Sequence, residues 1–341
     1  MRALVSGKAF LVALYAALLV LPFVANPYIT LFGNLILIYI MLAIGLNVLF
    51  GYTGELAFAN AAMLGIGAYG AGLLQVRLGA PFWLALPAGA LLAMAIGTAI
   101  ALPALRLKGL YLALATVAFA EFTRWVFIQW DAVTFGAGGF HIRPVDFSPL
   151  PISSGLGVYL VSWLVSLACI VVAWRAMASR LGRALVAIRD GDLAAESLGI
   201  DLLRYKAFAF AFSGFYAGLA GGLYAALLNF VAPENYNLIQ MILHKAMIVV
   251  GGVGSILGSV LGATLLVVLY EALRGFQYLQ EIAFGVLLIV FVIFMPRGLV
   301  EPLKRWLPGW EEPLHMPRRG DRAAEGEHRG VALKPPAVAE D

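Results

Sequence analysis

The sequence has few charged residues and only one cysteine. Of its 341 residues, 12% are charged and 62% are hydrophobic, and the mean hydropathy is +0.91. Soluble globular proteins carry about 25% charged residues, so this composition excludes a soluble enzyme, a nucleic-acid-binding protein and a disordered scaffold. The single cysteine, Cys169, excludes a disulfide framework and a thiolate metal cluster. The class that remains is a membrane protein, whose surface is covered by membrane lipid.

Sequence motifs for catalysis are also missing. The chain has no GxxxxGK[ST] sequence, and therefore no P-loop of its own, and it has neither an HExxH motif nor a nucleophile elbow. Its four histidines are not at metal-ligand spacing with one another or with the cysteine. We therefore expect that the chain is not an enzyme and binds no metal ion or cofactor.

Long uncharged stretches predict the transmembrane helices. Residues 9–54 contain no Asp, Glu, Lys or Arg, and about 20 residues cross a bilayer, so this stretch holds two helices. The predicted break is Asn26-Pro27, because proline lacks the amide that continues a helix. The pair of helices on either side of 251–254 could instead be one broken or re-entrant element. The whole chain is predicted to be an all-α polytopic protein with ten helices, at about 9–25, 28–50, 55–75, 82–104, 109–130, 157–177, 207–229, 237–252, 256–272 and 281–296.

The basic residues predict the orientation. With the N-terminus in the cytoplasm, thirteen Lys and Arg residues lie in cytoplasmic segments and three lie on the opposite side. Cytoplasmic loops carry the excess of positive residues, so both termini are predicted to be cytoplasmic. Arg2 and Lys8 before an apolar run also resemble a signal peptide. No small-x-small cleavage site follows them, so we expect the first helix to be retained.

The last 35 residues differ from the rest of the chain. Residues 307–341 contain seven acidic and five basic residues, scattered prolines and almost no large apolar side chains. Such a composition cannot build a core, so we predict a transmembrane domain over 1–306 and a disordered cytoplasmic tail over 307–341.

Polar residues inside the predicted helices are candidates for a transport pathway. A polar but mainly aliphatic solute needs hydrogen-bonding groups without fixed charge along its way. The same side chains could equally serve as hydrogen-bonded contacts between helices. The ionisable pair His244-Lys245 is a further candidate, because such groups are costly in a membrane. The neutral candidates are Asn47, Asn60, Thr116 and Gln240.

Many of the 37 glycines are expected to lie where helices pack closely. Gly254, Gly258 and Gly262 are spaced by four residues, which predicts one helix face that a neighbouring backbone can approach. Glu55 is predicted to stand at a helix start, where an acidic side chain suits the helix dipole.

The loop between the sixth and seventh helices is the longest predicted cytoplasmic connection. Residues 179–206 contain two helix-prone stretches, with a turn and a helix N-cap predicted at Asp192. A short amphipathic helix that ends at Gly199 is expected to lie at the membrane surface. A loop of about 30 residues among short connections tends to be functional, so a docking element for a cytoplasmic partner is favoured over a solvated connection.

Several stretches resemble one known family. They are GYTGELAFANAAMLGIGAY (51–69), LRLKGLYLALATVAFAEF (105–122), GRALVAIRDGDLAAESLGIDLLRYKAFAFAFSGFYAGLAGGLYA (182–225), GGVGSILGSVLGA (251–263) and FMPRGL (294–299). In these stretches the chain resembles the permease subunits of branched-chain amino-acid ABC importers, of the LivM type. The resemblance covers most of residues 40–300, and the polar tail matches nothing in the family's pattern.

The resemblance implies a fold like that of the vitamin-B12 and ribose permeases, and a multi-pass location in the bacterial inner membrane. It also implies a LivH-type second permease, two ATPase subunits that hydrolyse the ATP, and a periplasmic solute-binding protein. A coupling helix would dock on the ATPase. That role is carried onto Arg189, Asp190, Asp192, Glu196 and Gly199.

Other transport functions stay open at this stage. Related permeases also carry urea, short amides and other amino acids, and the sequence does not separate these solutes from leucine, isoleucine and valine. An ion-coupled secondary transporter is the alternative from another class. It would need carboxylates in the middle of the membrane and usually a visible inverted repeat. A structural or assembly subunit without transport is the third alternative.

Overall fold

The computed structural model describes residues 2–104, 107, 109–148, 153–273, 280–294 and 298–300. Within these residues the chain is almost entirely helical, and one two-residue antiparallel pair joins Phe140–His141 (β1) to Phe230–Val231 (β2). The predicted tail, 307–341, lies outside the described residues. The α-helices are α1 Arg2–Val24, α2 Pro27–Asn47, α3 Asn60–Leu78, α4 Phe82–Ala104, α5 Leu110–Gln129, α6 Asp131–Thr134, α7 Ser154–Ala178, α8 Arg180–Asp190, α9 Asp192–Ser197, α10 Leu202–Leu228, α11 Leu238–Gly251, α12 Ile256–Ala272 and α13 Gln280–Phe294.

Every predicted transmembrane stretch overlaps one of these helices. Six helical segments of the described chain are long and apolar enough to cross a membrane, which confirms a multi-pass membrane protein. The first of the six continues α2 through a short π-helix, Val48–Tyr52. The six segments are Pro27–Tyr52, Asn60–Leu78, Phe82–Leu102, Leu110–Gln129, Ser154–Ala178 and Leu202–Leu228.

Both predicted breaks are present. Helix α2 begins at Pro27 with Asn26 as its N-cap, and the fixed φ of proline suits the first helical position. Helix α11 ends at Gly251 and α12 begins at Ile256. Gly252 and Gly254 adopt φ of +134° and +76°, which turns the chain sharply, so 237–272 forms two helices rather than one broken element.

The predicted start of the third helix, residue 55, was wrong. Helix α3 begins at Asn60, and residues 54–58 are not helical. Glu55 therefore does not lie at a helix N-terminus. Its carboxylate is instead 2.6 Å from the ammonium group of Lys206 at the start of α10, so a long-range ion pair, rather than the dipole of its own helix, decides its place.

The core of the bundle is built around α2 and α10. Along α2, the side chains of Leu37, Ile38 and Met41 are fully buried. Helix α10 packs against α2, α3 and α4, and glycines let these helices approach closely. An added Cβ at Gly89 of α4 would be 2.6 Å from the carbonyl oxygen of Gly67 in α3. Helices α4, α5 and α7 keep large apolar side chains on their outer faces, as expected for contact with lipid.

Two sets of contacts hold connecting segments together at opposite ends of α3. At one end, β1 pairs with β2, and the guanidinium of Arg77 donates to the carbonyl oxygen of Ala132 at 2.6 Å. At the other end, the guanidinium of Arg189 donates to the carbonyl oxygen of Gly51 at 2.9 Å. All segments that meet at the second end were predicted to be cytoplasmic, and we call it the junction end.

Candidate functional site

The predicted docking loop folds into two helices at the junction end. Helix α8 is amphipathic. It buries Leu185 and Ile188, and the Ser179 hydroxyl caps it by accepting from the amide of Leu181 at 3.1 Å. Helix α9 ends at Ser197, two residues before the predicted closing glycine, Gly199, whose φ is +80° and whose amide donates to the carbonyl oxygen of Glu196 at 2.9 Å.

Arg189, at the end of α8, points into the protein. Its guanidinium donates to Gly51 at the end of the π-helix, and its aliphatic part lies beside Gly54. An added Cβ at Gly254 would be 3.1 Å from the same guanidinium, so Arg189 lies between two glycine turns. Asp190 is 3.5 Å from Arg189 and largely exposed. Arg189 thus fixes α8 to the helices, and Asp190 faces outward.

A buried ion cluster fixes α9. The ammonium group of Lys206 is 2.6 Å from the carboxylate of Glu55 and 3.0 Å from that of Asp192. These side chains are 9%, 12% and 20% exposed, respectively. The predicted N-cap role of Asp192 was wrong, because Asp192 is the first helical residue of α9 and its carboxylate binds Lys206 instead. We call Glu55, Asp192 and Lys206 the junction cluster.

Lys206 and Glu55 were not among the predicted coupling residues. Lys206 was counted only as a basic residue near a helix end, and Glu55 only as a helix-start acid. The sequence feature that could have indicated Lys206 is a lysine near the start of an apolar helix that follows an acidic loop. The partner, 151 positions earlier in the chain, is set by tertiary structure alone.

Asn47 joins α2 to α12. Its amide nitrogen donates to the carbonyl oxygen of Ser255 and to the hydroxyl of Ser259, both at 2.8 Å. Its amide oxygen accepts from the backbone amide of Gly254 at 2.9 Å. This geometry matches the alternative of an interhelical hydrogen bond, since the protein itself takes up the side chain's main hydrogen-bonding groups.

The three spaced glycines do not share one helix face. Gly254 lies in the turn before α12, where its positive φ and its bond to Asn47 hold it, so that part of the prediction was wrong. Gly258 and Gly262 do face α11. An added Cβ at Gly258 would be 2.7 Å from the carbonyl oxygen of Gly252, and one at Gly262 would overlap the carbonyl oxygen of Met247.

The other predicted pathway residues surround α3. The hydroxyl of Thr116 on α5 accepts from the backbone amide of Phe58 at 2.9 Å. The amide oxygen of Asn60 accepts from the hydroxyl of Ser213 at 3.3 Å, and its amide nitrogen has no hydrogen-bond partner among the described residues. The side-chain oxygen of Gln240 on α11 is likewise buried without a partner there.

Buried side-chain polar atoms without a hydrogen-bond partner among the described residues occur on α2, α3, α7 and α11 and between residues 229 and 236, and just over half of them belong to α3 and α11. Buried groups are hydrogen-bonded in more than about 90% of cases, so such a concentration is unusual. His244 and Lys245 are 0% and 9% exposed, and neither side chain has a hydrogen-bond partner in the described part of the chain. The sequence pointed to these two but missed the tyrosines. We call the six residues of this kind that lie on α3, on α11 or directly before α11 the polar seam: Asn60, Tyr69, Tyr236, Gln240, His244 and Lys245.

Aromatic rings line the seam. Tyr69 stacks on Phe127 of α5 with ring centroids 4.0 Å apart, and Tyr236 packs edge-on against both rings. His244 lies beside Tyr39 of α2 at 5.7 Å. Among the described residues, no group of three His, Cys, Asp or Glu side chains could hold a metal ion.

Membrane-length apolar helices around a seam of polar groups, with charged helices fixed to one end, define a multi-pass membrane transport protein. The chain belongs to the family of branched-chain amino acid transport system permease components, whose model matches residues 28–295. This confirms the family resemblance found in the sequence.

Individual relatives agree with the family. The chain is 34% identical to the high-affinity branched-chain amino acid transport system permease protein LivM of Escherichia coli over 88% of this chain and 76% of the relative. It is 33% identical to LivM of Salmonella typhimurium with the same coverage. A shorter match, 30% identical over 36% of each chain, is to the autoinducer 2 import system permease protein LsrC of Yersinia pestis. No solved structure matches the chain.

Proposed function

We propose that this chain is a permease subunit of an ABC importer that moves leucine, isoleucine or valine across the bacterial inner membrane. The family and the LivM relatives support this function. In the proposal, the ten helices cross the membrane with both termini in the cytoplasm. A LivH-type chain completes the pathway, a periplasmic binding protein delivers the solute, and two separate ATPase subunits hydrolyse ATP.

The observation that carries the proposal is a continuous path of contacts from α9 to the polar seam. Asp192 of α9 binds Lys206, and Lys206 binds Glu55 in the non-helical segment 54–58. At the end of that segment, the amide of Phe58 donates to Thr116 of α5, and its ring faces the ammonium group of Lys245 on α11 at 4.9 Å. A displacement of α9 would therefore be transmitted to α5 and α11 through direct contacts between residues of the protein.

The exposed surface at α9 suits a protein partner. Leu193 in α9 and Leu198 directly after its last residue are each 79% exposed, and Glu196 is exposed as well, whereas Ala195 is buried. Two exposed leucines on a short polar helix at the junction end form the kind of apolar contact that fits a groove. In the proposal, this face docks on the ATPase.

The mechanism follows from this arrangement. Closure of the ATPase dimer on ATP would move α8 and α9 as one unit, because Arg189 and the junction cluster fix both helices to the bundle. The permease would then alternate between states that open the seam to either side of the membrane.

Co-purification tests the proposed function. A tag on the cytoplasmic tail would be used to extract the chain from native membranes in mild detergent, and every associated chain would be identified. We expect an ATPase and a second permease. If the chain emerges alone or only with itself, the importer proposal fails and an ion-coupled transporter becomes the hypothesis to test.

The docking face makes a separate prediction. Leu193→Ser combined with Leu198→Ser should lower the amount of ATPase recovered with the tagged chain by at least about tenfold, since each buried leucine contributes about 1.5–3 kcal/mol to an interface. Insertion should be unchanged, because both side chains are exposed. Ser197→Ala, on the same helix, is the matched control. Undiminished recovery of the ATPase with the double variant would mean that these leucines face lipid instead.

A further inference from the structure

Lys245 is a buried cation without a counter-ion. It lies at the middle of α11, and its ammonium group is 4.4 Å from the ring centre of Phe50 and 4.9 Å from that of Phe58. No carboxylate in the described part of the chain forms an ion pair with it, and its ammonium group has no hydrogen-bond partner there. Lys245 therefore faces Phe50 and Phe58, which lie on either side of Gly51 and Glu55 in the segment that reaches the junction end.

Two phenylalanine rings do not satisfy such a group. A cation over a ring gains about 0.5–2 kcal/mol, but an ammonium group also has three hydrogen-bond donors, and each buried unpaired donor is costly. A membrane protein retains a charged side chain inside its bundle mainly at a pathway for solutes, ions or protons. A ligand that would satisfy Lys245 needs an anionic oxygen to accept its hydrogen bonds and an apolar part to contact the two rings.

The solute class in the proposed function has both features. A branched-chain amino acid carries an α-carboxylate, which accepts charge-assisted hydrogen bonds from an ammonium group, and an aliphatic side chain, which suits the faces of aromatic rings. The polar seam also contains uncharged polar atoms without a partner in the described residues, such as the amide nitrogen of Asn60, two positions after Phe58. Phe58 connects the site directly to the segment held by the junction cluster.

We propose that Lys245, between Phe50 and Phe58, binds the α-carboxylate of the amino acid as it crosses the permease. This inference rests on the proposed function and adds a specific solute-binding residue to it. The site lies where α9 can act on it, so release toward the cytoplasm follows when segment 54–58 moves Phe58 away from the ammonium group.

The test uses the complete importer in proteoliposomes, with leucine-loaded binding protein outside and ATP inside. Lys245→Met keeps the length of the side chain and removes the charge. It should lower leucine uptake by at least about tenfold, since a hydrogen bond to a charged group contributes about 1.5–3 kcal/mol. Stimulation of ATP hydrolysis by the binding protein should persist.

Two further variants serve as controls. Lys245→Arg should keep at least a third of the leucine uptake of the unaltered protein. Met241→Leu, one turn away on the same face, is the control for packing.

Each result has a distinct meaning. If the Lys245→Met importer takes up leucine as fast as the Met241→Leu importer, the proposed role of Lys245 is wrong, and the proposed function of the protein is unaffected. Equal losses in the Met and Arg variants would also overturn it, since positive charge would not be the relevant property. If Lys245→Met and Lys245→Gln both fail to assemble with the second permease, the lysine serves assembly and the proposal is wrong. Absence of leucine, isoleucine and valine uptake by the unaltered importer would refute the function itself.

Discussion

Lys206→Met is expected to destabilise the permease and, in the proposed importer, to uncouple it from the ATPase. The change leaves the carboxylates of Glu55 and Asp192 buried at 12% and 20% exposure without their shared cation. Removing one partner of a buried ion pair costs about 3–5 kcal/mol, because the remaining charge keeps its desolvation penalty. We therefore expect a lower thermal midpoint of the purified complex. We also expect leucine uptake to fall by more than about tenfold.

The first turn of α10 offers a matched control for Lys206. Arg204 pairs with Asp201 at 2.8 Å, but its side chain is 84% exposed, and surface pairs contribute little. Arg204→Met should therefore leave both measurements near those of the unaltered protein. In the triple variant Lys206→Met, Glu55→Gln and Asp192→Asn, the buried charges are gone together, so stability should recover in part. Equal stability of Lys206→Met and Arg204→Met would show that the junction cluster does not fix α9.

Gly262→Ala is expected to disrupt the packing of α11 on α12. The added methyl group would overlap the carbonyl oxygen of Met247 and lie 2.9 Å from the backbone of Gly251. Backbone atoms cannot move aside as flexible side chains can, so the helices must separate. Overpacking of this kind costs about 1–3 kcal/mol or more. The expected result is a lower thermal midpoint together with reduced leucine uptake, because α11 carries His244 and Lys245.

Gly285→Ala in α13 is the control for this substitution. No described atom lies within 4 Å of the Cβ that it adds, and alanine favours a helix by about 1 kcal/mol over glycine. Gly285→Ala should therefore be neutral or slightly stabilising. A Gly262→Ala protein as stable as Gly285→Ala would mean that α11 and α12 can separate without loss.

The amino-acid sequence alone determined the membrane class, the positions of the helices and the family. These properties depend on runs of apolar residues, breaks at proline and glycine, and local motifs such as the 179–206 loop, all of which act over short distances along the chain. The helices at Pro27–Asn47 and Ile256–Ala272 begin within one residue of their predicted starts for this reason.

Only the tertiary structure decided the partners of the polar groups. Asn47, a candidate for the pathway or for interhelical bonding, is bound by α12 and the turn before it. Glu55 and Lys206, which no sequence pattern connected, form one cluster with Asp192. The aromatic rings around Lys245 come from residues 187 and 195 positions earlier in the chain. The physical reason is a difference in range. The composition and periodicity of apolar residues along the chain are enough to predict a transmembrane helix. A hydrogen bond or an ion pair forms only between atoms a few ångströms apart, and the packing of the helices sets those distances.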